Sequence, residues 1–145
     1  MRYTLSTFTL LATLFLAGCF GINQPTDSEV RTLSKLQFNQ QFSGLFDATI
    51  VTKQNGYKDG DTRYIAEMHV IATAQQSLDE YASQLMQDES ISAIKKLTLD
   101  MNLGLLKMTL PDFSAGDQIE FEPIYLFVKT DNGWLLKKEL QAEEL

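Results

Sequence analysis

Residues 64–72, Tyr-Ile-Ala-Glu-Met-His-Val-Ile-Ala, decide the fold, because every second residue from Tyr64 to Ala72 is apolar. A period of two places these side chains on one face of a β-strand. A shorter run of the same kind begins at Phe46 and ends at Ile50, and the turn-rich stretch 54–61 lies between the two runs. The sequence therefore predicts an antiparallel hairpin with a long loop.

The C-terminal third carries further alternation that predicts more sheet. Leucine or methionine occupies every second position from Leu97 to Leu105, and the phase then slips beside Gly104. A one-residue slip next to a glycine is typical of a β-bulge, so a bulged strand is predicted here.

Two more strands are predicted after this segment. One runs from Ile119 to Val128 and changes phase at Pro123, which indicates an edge or a bulge because proline cannot donate to a β-ladder. Residues 131–133, Asp-Asn-Gly, predict a tight turn into a last strand that starts at Trp134.

Two capping boxes predict where helices begin, since each has Ser or Thr followed three residues later by Glu. The two boxes are Thr26 with Glu29 and Ser77 with Glu80. The first helix is predicted over residues 27–36, although residues 36–42 also alternate as a strand would. The apolar stripe of the second helix fails near Ser90, where a break or kink is expected.

These elements predict one α+β domain over residues 29–145. Its sheet is mainly antiparallel with about five strands, and one or two helices pack on one face. The order of the elements, with the closing segment Gly-Trp-Leu-Leu-Lys at 133–137, resembles in outline the NTF2-like and cystatin-like folds. The resemblance concerns element order and carries over no functional residue.

The N-terminus has the pattern of an export signal. A short start containing Arg2 precedes an apolar run of 13 residues from Leu5 to Ala17. That run is too short for a permanent membrane span, which needs roughly 20 apolar residues. The sequence thus predicts a signal peptide over residues 1–18.

The apolar run ends in Leu16-Ala17-Gly18-Cys19, which resembles the lipobox of bacterial lipoproteins. The resemblance implies cleavage before Cys19 and attachment of diacylglyceryl and N-acyl (palmitate-type) chains to that residue. Residues 19–28 then form the lipidated cysteine and a flexible tether. The residue after the cysteine is Phe20 rather than aspartate, which in this family favours the outer membrane, facing the periplasm.

Charge and cysteine content restrict the partners and cofactors. The chain carries a net charge of −7, and cleavage after residue 18 removes one cation, Arg2, and no carboxylate, giving −8. Nucleic acid is therefore an unexpected partner, because phosphate binding needs clustered Lys and Arg. Cys19 is the only cysteine, so the sequence predicts no disulfide and no thiolate metal cluster.

One polar face and one turn are the candidate sites in the domain. Arg63, Glu67 and His69 share the odd-numbered face of the 64–72 strand, where Glu67 and His69 could act as an acid–base pair if the face lined a cleft. A solvated polar sheet face explains the same residues. Residues 59–61, Asp-Gly-Asp, fit a hairpin turn better than a calcium loop, whose other ligands the sequence lacks. No metal and no cofactor is predicted.

Three functions are compatible with this sequence. The first is a non-enzymatic, lipid-anchored protein of the cell envelope that binds another envelope protein. The second is a carrier of a small apolar ligand, with a pocket between a curved sheet and a helix. The third is a hydrolase or isomerase that uses Glu67 and His69. The first is favoured because no catalytic motif is present.

Overall fold

The structure is a computed structural model that describes residues 24–145. The predicted signal peptide, Cys19 and the first part of the tether lie outside the described residues. Within them the α+β class with a five-stranded antiparallel sheet is confirmed, and there are three α-helices rather than one or two. In chain order the elements are α1 (Asp27–Gln41), β1 (Phe46–Lys58), β2 (Arg63–Ala74), α2 (Leu78–Gln87), α3 (Ala93–Thr109), β3 (Gln118–Phe121), β4 (Ile124–Thr130), β5 (Gly133–Leu140) and a 3₁₀ turn (Ala142–Glu144).

Strand β2 is the centre of the sheet, as its alternation suggests. The strand order is β1-β2-β4-β5, and β3 pairs with β2 on the same side as β4. The predicted phase change falls between β3 and β4, where the Pro123 carbonyl accepts a hydrogen bond from the Met68 N–H at 3.0 Å. One long run of sequence thus becomes two strands that both pair with β2.

The predicted position is wrong in part for the first hairpin turn and right for the last. Residues 54–58, predicted as part of a loop, belong to β1, so the first hairpin has a short turn over residues 59–62. Gly60 supplies a φ of 93° in that turn. The last hairpin has its turn where predicted, with Gly133 at a φ of 109°. Such positive values suit glycine, which has no Cβ to clash with the backbone.

Helix α1 begins at the predicted capping box and continues beyond the predicted end. Val30, Ser34 and Phe38, spaced four residues apart, are its buried residues. The alternation at 36–42 is therefore helical, and Phe42 is the C-cap. The helix ends in an aromatic cluster over the sheet, in which the Phe38 and Phe42 ring centres are 4.7 Å apart and those of Phe38 and Phe121 are 5.0 Å apart.

The predicted bulged strand from Leu97 to Leu105 is wrong, because this segment is helix α3. The Ser92 hydroxyl caps the helix by accepting from the Lys95 N–H. Leucine, lysine and methionine have high helix propensity. Because α3 carries apolar residues on two faces, its sequence also shows the alternation of a strand. Gly104 is consequently a mid-helix residue and not a bulge. The predicted interruption near Ser90 is confirmed, since α2 ends at Gln87 and α3 begins at Ala93.

Candidate functional site

The polar residues of β2 each have a different partner. The His69 Nε2 lies 3.2 Å from Glu120 Oε2, on β3. Glu67 instead accepts a long hydrogen bond of 3.5 Å from Asn55 on β1. Arg63 pairs with Asp59 of the adjoining turn at 2.9 Å. The structure therefore keeps the three predicted site residues on one strand but directs them to three separate neighbours.

Glu120 is the partner of His69 that the sequence did not reveal. It is 51 residues away in the chain, and its strand is positioned by the pairing of Ile71 with Glu120. The only sequence signal was the alternation of polar and apolar residues around Ile119. The Glu120 side chain is 72% exposed, so this pair lies at the surface and solvent screens its charges.

A groove lies beneath the two helices that connect β2 to β3. Its volume is about 360 Å³, within the range of small-molecule sites. Its apolar lining comes from the end of α1 and the residues after it, from α2 and from α3, and includes Phe42, Leu45, Tyr81, Leu85, Leu99, Leu103, Leu105 and Leu106. This groove lies among helices, whereas the pocket between the sheet and α1 is smaller, about 150 Å³. The aromatic cluster lines that smaller pocket through Phe38, Phe42 and Phe121.

Helix α3 presents a second apolar surface on its opposite side, where no other part of the described chain covers it. Five large side chains there are 62% to 85% exposed, and only Leu103 of the helix is buried. We call this surface the α3 stripe. Its members are Ile94, Leu97, Met101, Leu105 and Met108, and Leu105 also lines the groove, where the two surfaces meet.

Hydrogen bonds near both ends of α3 join it to α2. Near the start, the Lys96 ammonium donates to the Met86 carbonyl of α2 at 2.7 Å. Near the end, the Lys107 ammonium donates to Asp79 of α2 at 3.0 Å. The Lys107–Asp79 pair is exposed to solvent and contributes little. The burial of Leu103 is what orients the helix with its stripe outward.

The residues predicted to form the tether precede α1 and so lie at its other end from the groove. At this end the Lys53 ammonium donates to the Asp27 carboxylate and, at 3.3 Å, to the Tyr64 hydroxyl. The bond between the two charged groups lowers the pKa of Asp27 and raises that of Lys53. Helix α1 has 15 residues and is about 22 Å long. The helix therefore separates its own first residue, Asp27, from the α2 and α3 region.

Comparison with known proteins adds no family to these observations. No family model matches the chain, and no curated protein or solved structure is similar enough to be matched. Of the helices described from residue 24 onward, none has the length and apolar character needed to cross a bilayer. The same part of the chain holds no group of three or more His, Cys, Asp or Glu residues arranged to bind a metal ion.

Proposed function

We propose that the chain is a lipid-anchored, non-enzymatic binding protein of the bacterial cell envelope, and that it binds another protein through the α3 stripe. The observation that carries the proposal is the exposure of five large apolar side chains along one helix face. The lipobox-like residues ending at Cys19 support the anchor, and Phe20 favours the periplasmic face of the outer membrane.

The size of the α3 stripe indicates a site of modest affinity. Five such side chains expose roughly 200–400 Å² of apolar surface, whose burial is worth roughly 5–10 kcal/mol. That is comparable to the largest apolar patch on a typical monomer, about 300–600 Å², which is often functional. Association itself costs about 4–15 kcal/mol, so the stripe alone supports a weak complex.

Lipid anchoring compensates for modest affinity. A protein held at a membrane meets other anchored proteins at a raised effective concentration, so a weak contact is sufficient for binding. Two or three acyl chains make such an anchor stable, whereas one holds only marginally. The anchor and the stripe therefore support the same function.

Mass spectrometry of the mature N-terminus tests the anchor. We expect Cys19 as the first residue, carrying diacylglyceryl and N-acyl groups, and we expect Cys19→Ser to abolish both the lipid attachment and the cleavage that follows it. An unmodified thiol at Cys19, or cleavage at another bond, would contradict the anchored location.

Photo-cross-linking in intact cells tests the binding surface. A photoreactive side chain at Met101, which is 70% exposed on the stripe, should give covalent protein adducts. The matched control is the same group at Ile50, an exposed apolar residue of β1 that is 50% exposed. No adduct at Met101, or equal adducts at the two positions, would refute binding through the stripe.

The groove supports a second candidate function, the carriage of a small apolar ligand. Its volume of about 360 Å³ would hold an acyl chain or a similar molecule. A fluorescent fatty acid titrated into the protein should then gain intensity, and Leu103→Trp should abolish the gain by filling the groove. An unchanged signal with the wild-type protein would remove this candidate.

No observation on the described residues favours the hydrolase or isomerase hypothesis. His69 is paired with Glu120 and not with Glu67, and neither His69 nor Glu67 lines the apolar groove. It stays a prediction that His69→Gln would abolish any hydrolytic or isomerising activity found in the protein.

A further inference from the structure

The α3 stripe has a symmetric spacing. Its successive members are separated by three, four, four and three residues. The sequence of intervals therefore reads the same in both directions from Met101. An antiparallel copy of the helix, centred on the same residue, would bring Met101 opposite Met101, Leu97 opposite Leu105 and Ile94 opposite Met108.

We infer that the protein bound by the α3 stripe is a second copy of this chain, packed antiparallel about a two-fold axis at Met101. This inference rests on the proposed binding function and names its partner. A two-fold contact uses the same patch on both subunits. Where residue i of the first copy contacts residue j of the second, residue j of the first copy must therefore contact residue i of the second. The intervals of the stripe satisfy that condition along its whole length.

The residues beside the stripe permit two helices to approach closely. At about 100° per residue, the five stripe members fall within about 40° of Met101 around the helix. The next positions, at about 60–80°, are all small. They are Ala93, Thr98, Gly104 and Thr109.

Gly104 is a second, independent indication of a close partner. A glycine in the middle of a helix is destabilising relative to alanine. A Cβ added at Gly104 would meet nothing within 4 Å, so packing inside this chain does not require the glycine. A partner helix crossing beside Met101 would require it, because the missing side chain lets the two backbones come together.

The charges of α3 lie outside the proposed contact. Lys95, Lys96, Asp100 and Lys107 are all about 100° or more from Met101 around the helix. No charged side chain is therefore buried when two stripes meet. This arrangement matches an interface with an apolar centre and a polar rim.

The area of the contact sets its strength. With roughly 200–400 Å² from each copy, the pair of stripes is smaller than a standard interface, which buries about 800 Å² per partner. A reversible dimer is expected, and it should form chiefly where the anchored chain is concentrated in a membrane.

Disulfide cross-linking of the full chain in membranes tests the pairing and its register. Met101→Cys should give a covalent homodimer on mild oxidation, because the two residues face each other across the axis. Leu97→Cys and Leu105→Cys should each remain monomeric alone and should cross-link when co-expressed. Positions 97 of the two copies would lie about 12 Å apart along the helices, beyond the roughly 7 Å that a disulfide spans.

Two controls accompany these variants. Ile50→Cys measures collisions of an exposed apolar position outside the stripe, and the unaltered chain measures any cross-linking through Cys19. A dimer from Leu97→Cys alone that equals the dimer from Met101→Cys would overturn the antiparallel register. If Met101→Cys does not fold, cross-linking between co-expressed Leu97→Cys and Leu105→Cys chains still tests the register.

The outcomes separate this inference from the proposed function. If cysteines on the stripe give no homodimer while the photoreactive group at Met101 captures a different protein, self-pairing is wrong and the binding surface stands. If neither method gives an adduct at Met101, both are wrong.

Discussion

Replacing Gly104 by alanine should stabilise the folded chain. The residue lies in the interior of α3, and an added Cβ would meet nothing within 4 Å. Alanine loses less backbone entropy than glycine when a helix forms, and no clash offsets that gain. The sign of the effect therefore depends directly on whether this segment is a helix.

The expected gain follows from helix propensity. Glycine costs about 0.5–1 kcal/mol relative to alanine in a helix interior, so Gly104→Ala should raise the free energy of unfolding by about that amount. Urea unfolding followed by circular dichroism would measure it, at protein concentrations low enough to keep the chain monomeric. The slope m should be unchanged, since the surface exposed on unfolding stays the same.

Gly133→Ala is the matched control. A Cβ at Gly133 also meets nothing within 4 Å, but its φ of 109° is unfavourable for alanine. This variant should lose stability while Gly104→Ala gains it. If Gly104→Ala were destabilising in the monomer, the assignment of Gly104 to an open position within a helix would be refuted, because alanine is unfavourable only at a bulge or a packed position. In the self-pairing account Gly104→Ala should also weaken the dimer, by widening the approach of the two helices.

Three further substitutions test the interior and the first helix. Gly56→Ala should destabilise by about 1–3 kcal/mol in urea, because its Cβ would fall 2.1 Å from the Tyr64 hydroxyl. Ser34→Ala should raise the free energy of unfolding by about 1 kcal/mol, because the buried Ser34 hydroxyl has no hydrogen-bond partner among the described residues. The third test varies the pH. The Thr26 N–H and hydroxyl donate to the Glu29 carboxylate, and these hydrogen bonds lower the pKa of that carboxyl from 4.5. Their stabilisation of the fold is therefore complete above pH 4.5 and is lost as the pH falls through the lower folded-state pKa. Glu29→Gln should therefore flatten the fall of the melting temperature in that acid range, and an unchanged pH profile would contradict the pairing.

Most of the fold could be predicted from local chemistry. The capping boxes at Thr26 and Ser77 correctly predicted where α1 and α2 begin. Such a box satisfies backbone N–H groups that the first turn of a helix leaves without partners. The alternation in β2 correctly predicted a strand of the sheet, and the turn residues before Trp134 correctly predicted its last hairpin. These signals depend on neighbours in sequence and not on tertiary contacts.

Helix α3 could not be predicted in the same way. Periodicity arguments assume that apolar residues are buried within their own chain, and then a helix shows one apolar face. In α3, Leu99 and Leu103 face the domain, Leu97 and Met101 are exposed, and Leu105 is exposed at the edge of the groove. The two faces together give the period of a strand. The error thus arises from the same exposed residues that form the proposed binding surface.

The partner of His69 was also beyond sequence analysis. Glu120 meets it only because β3 pairs with β2, and that pairing follows from the interruption at Pro123 and the length of the α2 and α3 insertion. The sequence predicted which residues share the face of β2. It could not predict which side chains from other strands would lie beside them.

Methionine oxidation by peroxide tests most directly whether a protein covers the α3 stripe. The stripe residues Met101 and Met108 are 70% and 85% exposed, whereas Met86 on α2 is 37% exposed and Met68 in the core is 1% exposed. Oxidation follows exposure, so in the dissolved and diluted chain Met101 and Met108 should react faster than Met86 and Met68. In native membranes we expect Met101 and Met108 to react more slowly than Met86, because the bound protein shields them. If they react faster than Met86 in both preparations, the stripe is not a binding surface.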